Sequence, residues 1–380
     1  MRRRIFTEEH ELFRETVRAF CEKECVPHVA EWEKSGGPER DLWRKAGEQG
    51  LLGWEVPEEF GGSGVTDFRY NAVLAEEMVA TGAGGPGFAV NNDLVLPYLL
   101  TLANDEQKKR WLPGMVTGEV ITAIAMSEPG VGSDLKSVTT TAIRDGDEFV
   151  VNGSKTFISN GRTATHVIVV AKTDPSAGHR GVSLIVVEDG MPGFTRGRQL
   201  DKIGVKSSDT AELAFDNVRV PASNLLGEPG KGFYSLMNNL PRERLGIAVH
   251  GVARARRALE VTIEYAGTRQ AFGQPIGSFQ ANRFSLAEMK TKVDVMQVFL
   301  DRCIEEVLAG TLLADEAAEA KMWITETEWE ILDRCLQLHG GYGYINEYEI
   351  ARLWRDGRVQ RLYGGTTEIM KEIVGRSMGF

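Results

Sequence analysis

The sequence predicts a multidomain α+β chain: an N-terminal helical domain, a middle antiparallel β-barrel-like domain and a C-terminal four-helix-bundle domain. Two changes of hydrophobic period carry this reading. Apolar residues recur at helical spacing up to Gly118, fall into short β-branched runs from there to about residue 229, and then return to helical spacing. A third observation is that Asp145-Gly146, Asn152-Gly153, Asn160-Gly161 and Asp189-Gly190, all turn signals, punctuate the middle part. A length of 380 residues accommodates three domains, set here at 1–118, 119–229 and 230–380.

Residues 7–34 read as a helix. Thr7 is its N-cap and Glu8 and Glu9 its acidic first turn. Leu12, Phe13, Val17, Phe20 and Val29 share one face, and Pro27 marks a kink or boundary near residue 26. Helices over 39–50, 67–81, 90–102 and 105–118 follow, broken by Gly61, Gly62 and Gly64 and by the 82–87 stretch. Strands are expected at 120–126, 138–144, 148–151, 165–171, 182–187 and 211–215. Helices then occupy 245–268, 279–309, 314–338, 346–356 and 367–378, and short connections between long helices imply a bundle. Pro241 either opens the 245–268 helix or kinks a longer one that starts near Gly232.

Hydrophobic content of 42% and charged content of 26% are ordinary for a soluble globular protein. A net charge of −10 argues against phosphate-backbone binding as the main task, while leaving room for a local basic pocket. No apolar run approaches the ~18–20 residues that span a bilayer. The start, MRRRIFTEEH, lacks the apolar stretch of a secretory signal and turns acidic too soon for a transit peptide, so a cytoplasmic protein is expected. Cys21, Cys25, Cys303 and Cys335 read as reduced thiols, and the six histidines show no metal-ligand spacing.

Several stretches carry chemistry. In NNLPRERL, 238–245, the charges of Arg242, Glu243 and Arg244 sit against Leu240, Leu245 and Ile247. Glu243 is either an ion-pair member or a base with a raised pKa. The loop 125–134, AMSEPGVGSD, can bring backbone amides and the hydroxyls of Ser127 and Ser133 to a flat polar ligand, or simply join two strands. Phe157 and Ser159, two apart in 152–161, lie on one strand face. Three glycines after a helix in 337–344 suggest close approach of backbone to a ligand. Gly364 and Gly365 precede Thr366 and Thr367 at a helix N-terminus able to receive a polar group. The GxGxxG match at 82–87 follows a helix and contains a proline, which argues against a dinucleotide site.

Five motifs in order, AMSEPGVGSD, NGSKTFISNG, RQAFGQPIGSFQ, QLHGGYGY and YGGTTEI, resemble the acyl-CoA dehydrogenase family over essentially the whole chain. The resemblance implies FAD as cofactor and introduction of an α,β double bond into a medium-chain, long-chain or branched acyl-CoA. By position it implies FAD contacts from Ile124, Ala125, Met126, Ser127, Gly132 and Ser133, with Ser133 also toward the thioester. Phe157, Ile158 and Ser159 would flank the other side of the flavin. Arg269, Phe272 and Gln280 would reach FAD across a subunit boundary, as would Gln337, Leu338, His339, Gly340 and Gly341. Thr366, Thr367 and Glu368 would add contacts at the last helix. For the substrate the resemblance implies His179, Arg180, Tyr234, Pro241, Arg242 and Arg244, with the backbone of Gly364 and Gly365.

Many family members carry a catalytic glutamate just before the Gly-Thr of the last motif, where this chain has Gly364. In the long-chain and isovaleryl types the base lies instead on the helix after the β-domain, in a Glu-Arg-Leu pattern, and this chain has Glu243-Arg244-Leu245. The resemblance therefore implies that Glu243 takes the α-proton while the β-hydride goes to flavin N5. It also implies electron-transfer flavoprotein as acceptor and a homotetramer, a dimer of dimers. Two other readings stay open: a flavin oxidase of acyl-CoA or nitroalkane type, and a non-catalytic acyl-CoA-binding flavoprotein, against which Glu243 speaks. A glutamate placed at position 364 is expected to supply a second base.

Overall fold

The computed structural model describes residues 3–380; Met1 and Arg2, part of the arginine-rich start, lie outside them. Thr7 is extended, and its amide and hydroxyl both meet His10 Nδ1, at 3.2 and 2.7 Å, opening helix α1 (Glu8–Phe20). A π-turn over Cys21–Cys25 and a 3-10 turn over Val26–His28 then lead into α2 (Val29–Ser35). Pro27 thus divides the single helix read over 7–34 into two, because its ring removes an amide donor from the ladder. Helices α3 (Asp41–Glu48) and α4 (Phe68–Ala80) follow, the latter capped by Asp67, which accepts from the Arg69 amide at 2.9 Å. The 90–102 run opens as a π-helix, Val90–Val95, before α5 (Leu96–Leu102). Helix α6 (Asp105–Thr117) lies between an Asn104–Gln107 capping box and Gly118 at φ +79°.

The middle strands are β1 (Thr122–Ala125), β2 (Thr141–Asp145), β3 (Glu148–Ser159), β4 (His166–Lys172), β5 (Val182–Glu188), β6 (Phe194–Gln199), β7 (Thr210–Pro221) and β8 (Leu225–Leu226). They form one sheet in the order β6-β7-β3-β2-β4-β5-β8, with β1 also on β4. Pairing is antiparallel except where β1 and β2 meet β4. β4 is buried on both faces, which explains its unbroken apolar run. Asn152-Gly153 is not a turn. It lies inside β3, where the register slips and Gly153 takes φ +147° with Thr140 packed against it. A second slip between Lys155 and Ile158 sets Phe157 at φ +61°. β6 escapes the sequence reading because FTRGRQ is polar and none of its residues is fully buried.

The C-terminal part begins with α7 (Gly232–Thr268), so Pro241 lies inside a longer helix, the second of the two alternatives. A tight hairpin, β9 (Gln270–Ala271) and β10 (Gln274–Pro275), precedes α8 (Gln280–Ala309), α9 (Ala314–His339), α10 (Glu349–Gly357) and α11 (Thr367–Ser377). Ala248, Val252 and Leu259 of α7 share a core with Met289 and Met296 of α8, Ile324 and Ile331 of α9, and Ala72 of α4. A second core joins Tyr98 and Leu99 of α5 and Trp111 of α6 to Ile168 and Leu184 of the sheet. The α7 helix enters between these bodies, and Glu243 to Val249 are buried on every side.

One buried ion pair fixes the strand ends that face the candidate site. Lys155 Nζ donates to Glu128 at 2.9 Å and to the carbonyls of Met126 and Val170 at 3.1 and 2.7 Å. Glu128 also accepts from the Thr139 and Thr140 amides, and this set holds its carboxyl down at about 2 against the opposing effect of burial. Glu128→Ala leaves a buried lysine without its counter-charge. It is expected to destabilise the fold by about 3 kcal/mol at neutral pH, measured by urea unfolding.

Candidate functional site

Glu243 projects from α7 two residues past Pro241, whose missing amide leaves the carbonyl four residues back without its helical partner. Its carboxyl is 6% exposed, and Oε1 accepts from the Tyr98 hydroxyl of α5 at 2.8 Å. Burial pushes its pKa up to about 7, while the Tyr98 hydrogen bond and the Arg244 charge pull the other way. A satisfied ion pair would have lowered it instead. Neither neighbouring arginine takes Glu243 as a salt-bridge partner among the described residues. Arg242 pairs with buried Glu55 and lies over the Phe68 ring, 5.5 Å from its centroid. Arg244 reaches forward to the last motif, where its Nε donates to the Gly364 carbonyl at 3.2 Å.

That last motif is held from two sides. Lys321 of α9, fully buried, donates to the Gly365 carbonyl at 2.7 Å. In a trans peptide, fixing one carbonyl fixes the next residue's amide in the opposite direction. Arg244 therefore sets the Gly365 N–H, and Lys321 sets the Thr366 N–H. Gly364 adopts φ +66°, and a Cβ there would lie 2.3 Å from Ile247 Cδ1. The side-chain space at 364 is filled by α7 itself.

The loop after β1 is tied to β3: the Thr156 amide donates to the Ser127 carbonyl at 3.0 Å. Ser127 is half-buried; Gly132 and Ser133 are exposed, as is Ser159. Ala125 and Ile158 point into the sheet core, so only their backbone can face a ligand, and Ile124 packs on the core shared with α5. Phe157 is 70% exposed although its backbone is pinned in the left-handed region. At the outer end of α7, Tyr234 is exposed and its hydroxyl lies 3.4 Å from His179 Nε2. Lys231 and Lys136 sit over the Tyr234 and Phe233 rings, and Arg180 is exposed beside them. Arg242 does not join this basic and aromatic surface, being held by Glu55, and Pro241 is half-buried within α7.

A separate open groove of about 480 Å³ is lined by Arg269, Gln337, Leu338, His339, Gly340 and Gly341, with Tyr265 and Tyr342. His339 stacks on Tyr265 at 4.3 Å and its Nδ1–H donates to the Cys335 carbonyl, 2.8 Å away, so its ring is a wall of the groove. Arg269 lies over Tyr342. Phe272, at φ +52°, is 96% exposed, and Gln280 is exposed at the start of α8. No hydrogen bond, ion pair or ring contact among the described residues joins this groove to the Ser127–Phe157 surface. At α11, the Thr366 hydroxyl caps the Ile369 amide, Thr367 donates to Glu326 at 2.6 Å, and Glu368 is exposed. Tyr98 and Lys321 escaped the sequence reading, and Ile247 was read only as apolar company for the charges at 242–244. Tyr98 lies in an apolar run that marks core, and Lys321 is one charge among many on α9.

Family models match in three consecutive stretches: acyl-CoA dehydrogenase N-terminal domain over 7–119, middle domain over 123–218 and C-terminal domain over 230–379. The chain is 48% identical to the mitochondrial long-chain specific acyl-CoA dehydrogenase of Sus scrofa, over 99% of this chain and 88% of that protein. It is 36% identical to the mitochondrial isovaleryl-CoA dehydrogenase of Solanum tuberosum, over 98% and 91%. Among solved structures, an acyl-CoA dehydrogenase from Geobacillus kaustophilus superimposes with a TM-score of 0.97 at 48% identity, covering 99% of both chains. One from Bacillus anthracis, complexed with FAD, gives 0.89 at 35% identity over 98% of this chain and 67% of that one.

The geometry at Gly364 bears on the expectation of a second base there: its φ is positive, and an added Cβ meets the movable tip of Ile247. Gly364→Glu is expected to destabilise the protein by roughly 1–2 kcal/mol from its positive φ alone, with a further loss from the clash. Adding Ile247→Ala should recover only the clash part; thermal unfolding of both variants checks this. Glu243 makes a second prediction. Its folded pKa of about 7 lies above the unfolded value near 4.5, so its contribution to stability is present below pH 4.5 and is lost as pH rises through 7. Glu243→Gln removes that titration. Its stability relative to wild type should therefore improve by about 2 kcal/mol between pH 5 and pH 8 in denaturant unfolding.

Proposed function

Because the chain belongs to the acyl-CoA dehydrogenase family and is an FAD-dependent oxidoreductase, we propose that it forms 2,3-enoyl-CoA thioesters with Glu243 as the base that removes the α-proton. The observation that carries this reading is a carboxyl buried without a cationic partner, its pKa near 7. A base with that pKa is largely ionised just above neutrality and matched to proton transfer there.

The residues present fit FAD. Phe157 and Phe272 offer large exposed ring faces from strained left-handed backbone, an arrangement that burial alone does not explain. Ser127 is tied to Thr156 beside the first of them, exposed Ser159 lies two residues farther on, and Ser133 is exposed on the Ser127 loop. Ser127, Ser133, Phe157 and Ser159 would hold the ring end, with the backbone of Ala125, Met126 and Ile158. Bound there, FAD supplies the acceptor for the β-hydride. The groove around Arg269 and the 337–341 run, unconnected to that surface within one chain, would serve the cofactor of a neighbouring subunit. Exposed Phe272, Phe284 and Trp323 support assembly into a homotetramer.

The protein's own work is then positional. A thioester α-proton is weakly acidic, so the carbonyl oxygen needs donors as the proton leaves. The Gly365 amide, aimed by the Arg244 bond to Gly364, is the backbone donor proposed here. Glu243 holds the proton afterwards in a site from which water is excluded. Tyr234, His179 and the lysines beside them would take the CoA portion, and Ser133 would contact the thioester. Likeness to long-chain and isovaleryl enzymes supports a medium-chain, long-chain or branched acyl group. Four buried free thiols fit a reducing cytoplasm, and no described helix is long and apolar enough to cross a membrane. Electron-transfer flavoprotein is the proposed electron acceptor.

Glu243→Gln is expected to retain FAD absorbance and ligand binding but to slow flavin reduction by an acyl-CoA panel by several orders of magnitude; near-normal bleaching would refute the assignment. In wild type, the reduction rate should rise with pH through about 7. Stopped-flow reoxidation should be fast with electron-transfer flavoprotein and slow with oxygen, and the reverse ordering marks an oxidase.

A further inference from the structure

Tyr98 stands apart from the residues assigned above. It belongs to α5, in the apolar run Leu96–Leu102, and is 0% exposed. A phenol fully buried among Val95, Leu96, Leu99 and Leu236 needs a partner for its hydroxyl. The available partner is Glu243, at 2.8 Å from another domain and 145 residues away in sequence. Asn239, one helical turn before Glu243 on α7, donates to the Ser235 carbonyl at 3.4 Å. No other hydroxyl, ammonium or guanidinium donates to the Glu243 carboxyl among the described residues.

Resting on the reading of Glu243 as base, we propose that Tyr98 is a positioning residue that holds the carboxylate of Glu243 in one orientation and sets the pH at which it becomes available. A donor hydrogen bond favours the charged carboxylate over the neutral acid. Without it, burial acts on Glu243 with only Arg244 opposing. Every charged group close to this carboxyl enters the balance. Arg244 lies on its own helix and is partly committed to Gly364. Asp93, on the π-turn before α5, lies one turn along near Gly246, and Arg242 is held by Glu55. Lys321 of α9 stands behind Arg244 at Gly365. None of these substitutes for a direct donor. The same bond also orients the base: α5 and α7 are fixed in the two cores, so the bond fixes the carboxylate plane.

Tyr98→Phe keeps the ring that fills the core and removes only the oxygen. Its FAD absorbance and melting temperature report whether the fold is intact. The expected result is an upward shift of about one pH unit in the profile of flavin reduction by acyl-CoA, a hydrogen bond to a charged group being worth that much. Below neutrality this gives roughly a tenfold lower kcat with little change in KM. Infrared difference titration should place the same shift in a carboxyl band that Glu243→Gln abolishes. Tyr98→Phe with an unmoved profile and an unmoved carboxyl band, beside an inactive Glu243→Gln, would overturn the role of Tyr98 and leave the base in place. A Glu243→Gln variant that still reduces its flavin would overturn both.

Discussion

The burial of one carboxyl at the junction of three bodies is the constraint on which the site depends. Glu243 lies where α7 passes between the α5–α6 layer, the sheet and the bundle. Desolvation is the largest influence on it and has no matching cation. That arrangement is stable only because the chain elsewhere engages the charges that would otherwise neutralise it. Glu55 occupies Arg242, and the Gly364 carbonyl occupies Arg244. A salt bridge from either arginine to Glu243 would lower its pKa and make it a poor base near neutrality. Glu55 and the Gly364 carbonyl thus keep both arginines off the Glu243 carboxyl, although neither touches it.

The three-part architecture was legible because hydrophobic period changes twice, near Gly118 and near Gly230. The helices were legible because their apolar stripes are long. What failed to show are features decided by tertiary context. Asn152-Gly153 looks like a turn, yet β2 and β7 hold it in a strand as a bulge. Pro241 is compatible with a start or with a kink in a longer helix, and the packing of α7 on α4, α8 and α9 carries the helix through it. In the site, charged and glycine-rich motifs could be marked because such residues are unusual where they stand. Tyr98 and Lys321 could not, since a single polar atom in an apolar run is compatible with core until its partner is known, and Lys321 is one charge among many on α9.

The surface proposed for FAD follows a different physical rule from the base. There, backbone conformation does the placing. Two non-glycine aromatics, Phe157 and Phe272, take positive φ, a conformation costly for residues without short polar side chains. In Phe157 the cause is visible: the register slip between Lys155 and Ile158 turns the chain so that its neighbours Lys155 and Ile158 go inward and the ring goes out. Lys155, buried by the same slip, fixes Met126 and Glu128 on the adjoining loop. One irregularity in one strand thus shapes both the ring platform and the loop opposite it.

The relation between Glu243 and Gly364 can now be argued from space instead of from pattern. A side chain at 364 would enter the volume held by Ile247, one turn beyond Glu243 on the same face of α7. Gly364 has a positive φ, and its carbonyl accepts from Arg244, the residue next to Glu243. Arg244 and Ile247, one and four residues past Glu243 on α7, bind the 364 carbonyl and occupy the 364 side-chain space. A glutamate at 364 would have to adopt that positive φ and displace the Ile247 tip, two costs that Glu243 on α7 does not carry.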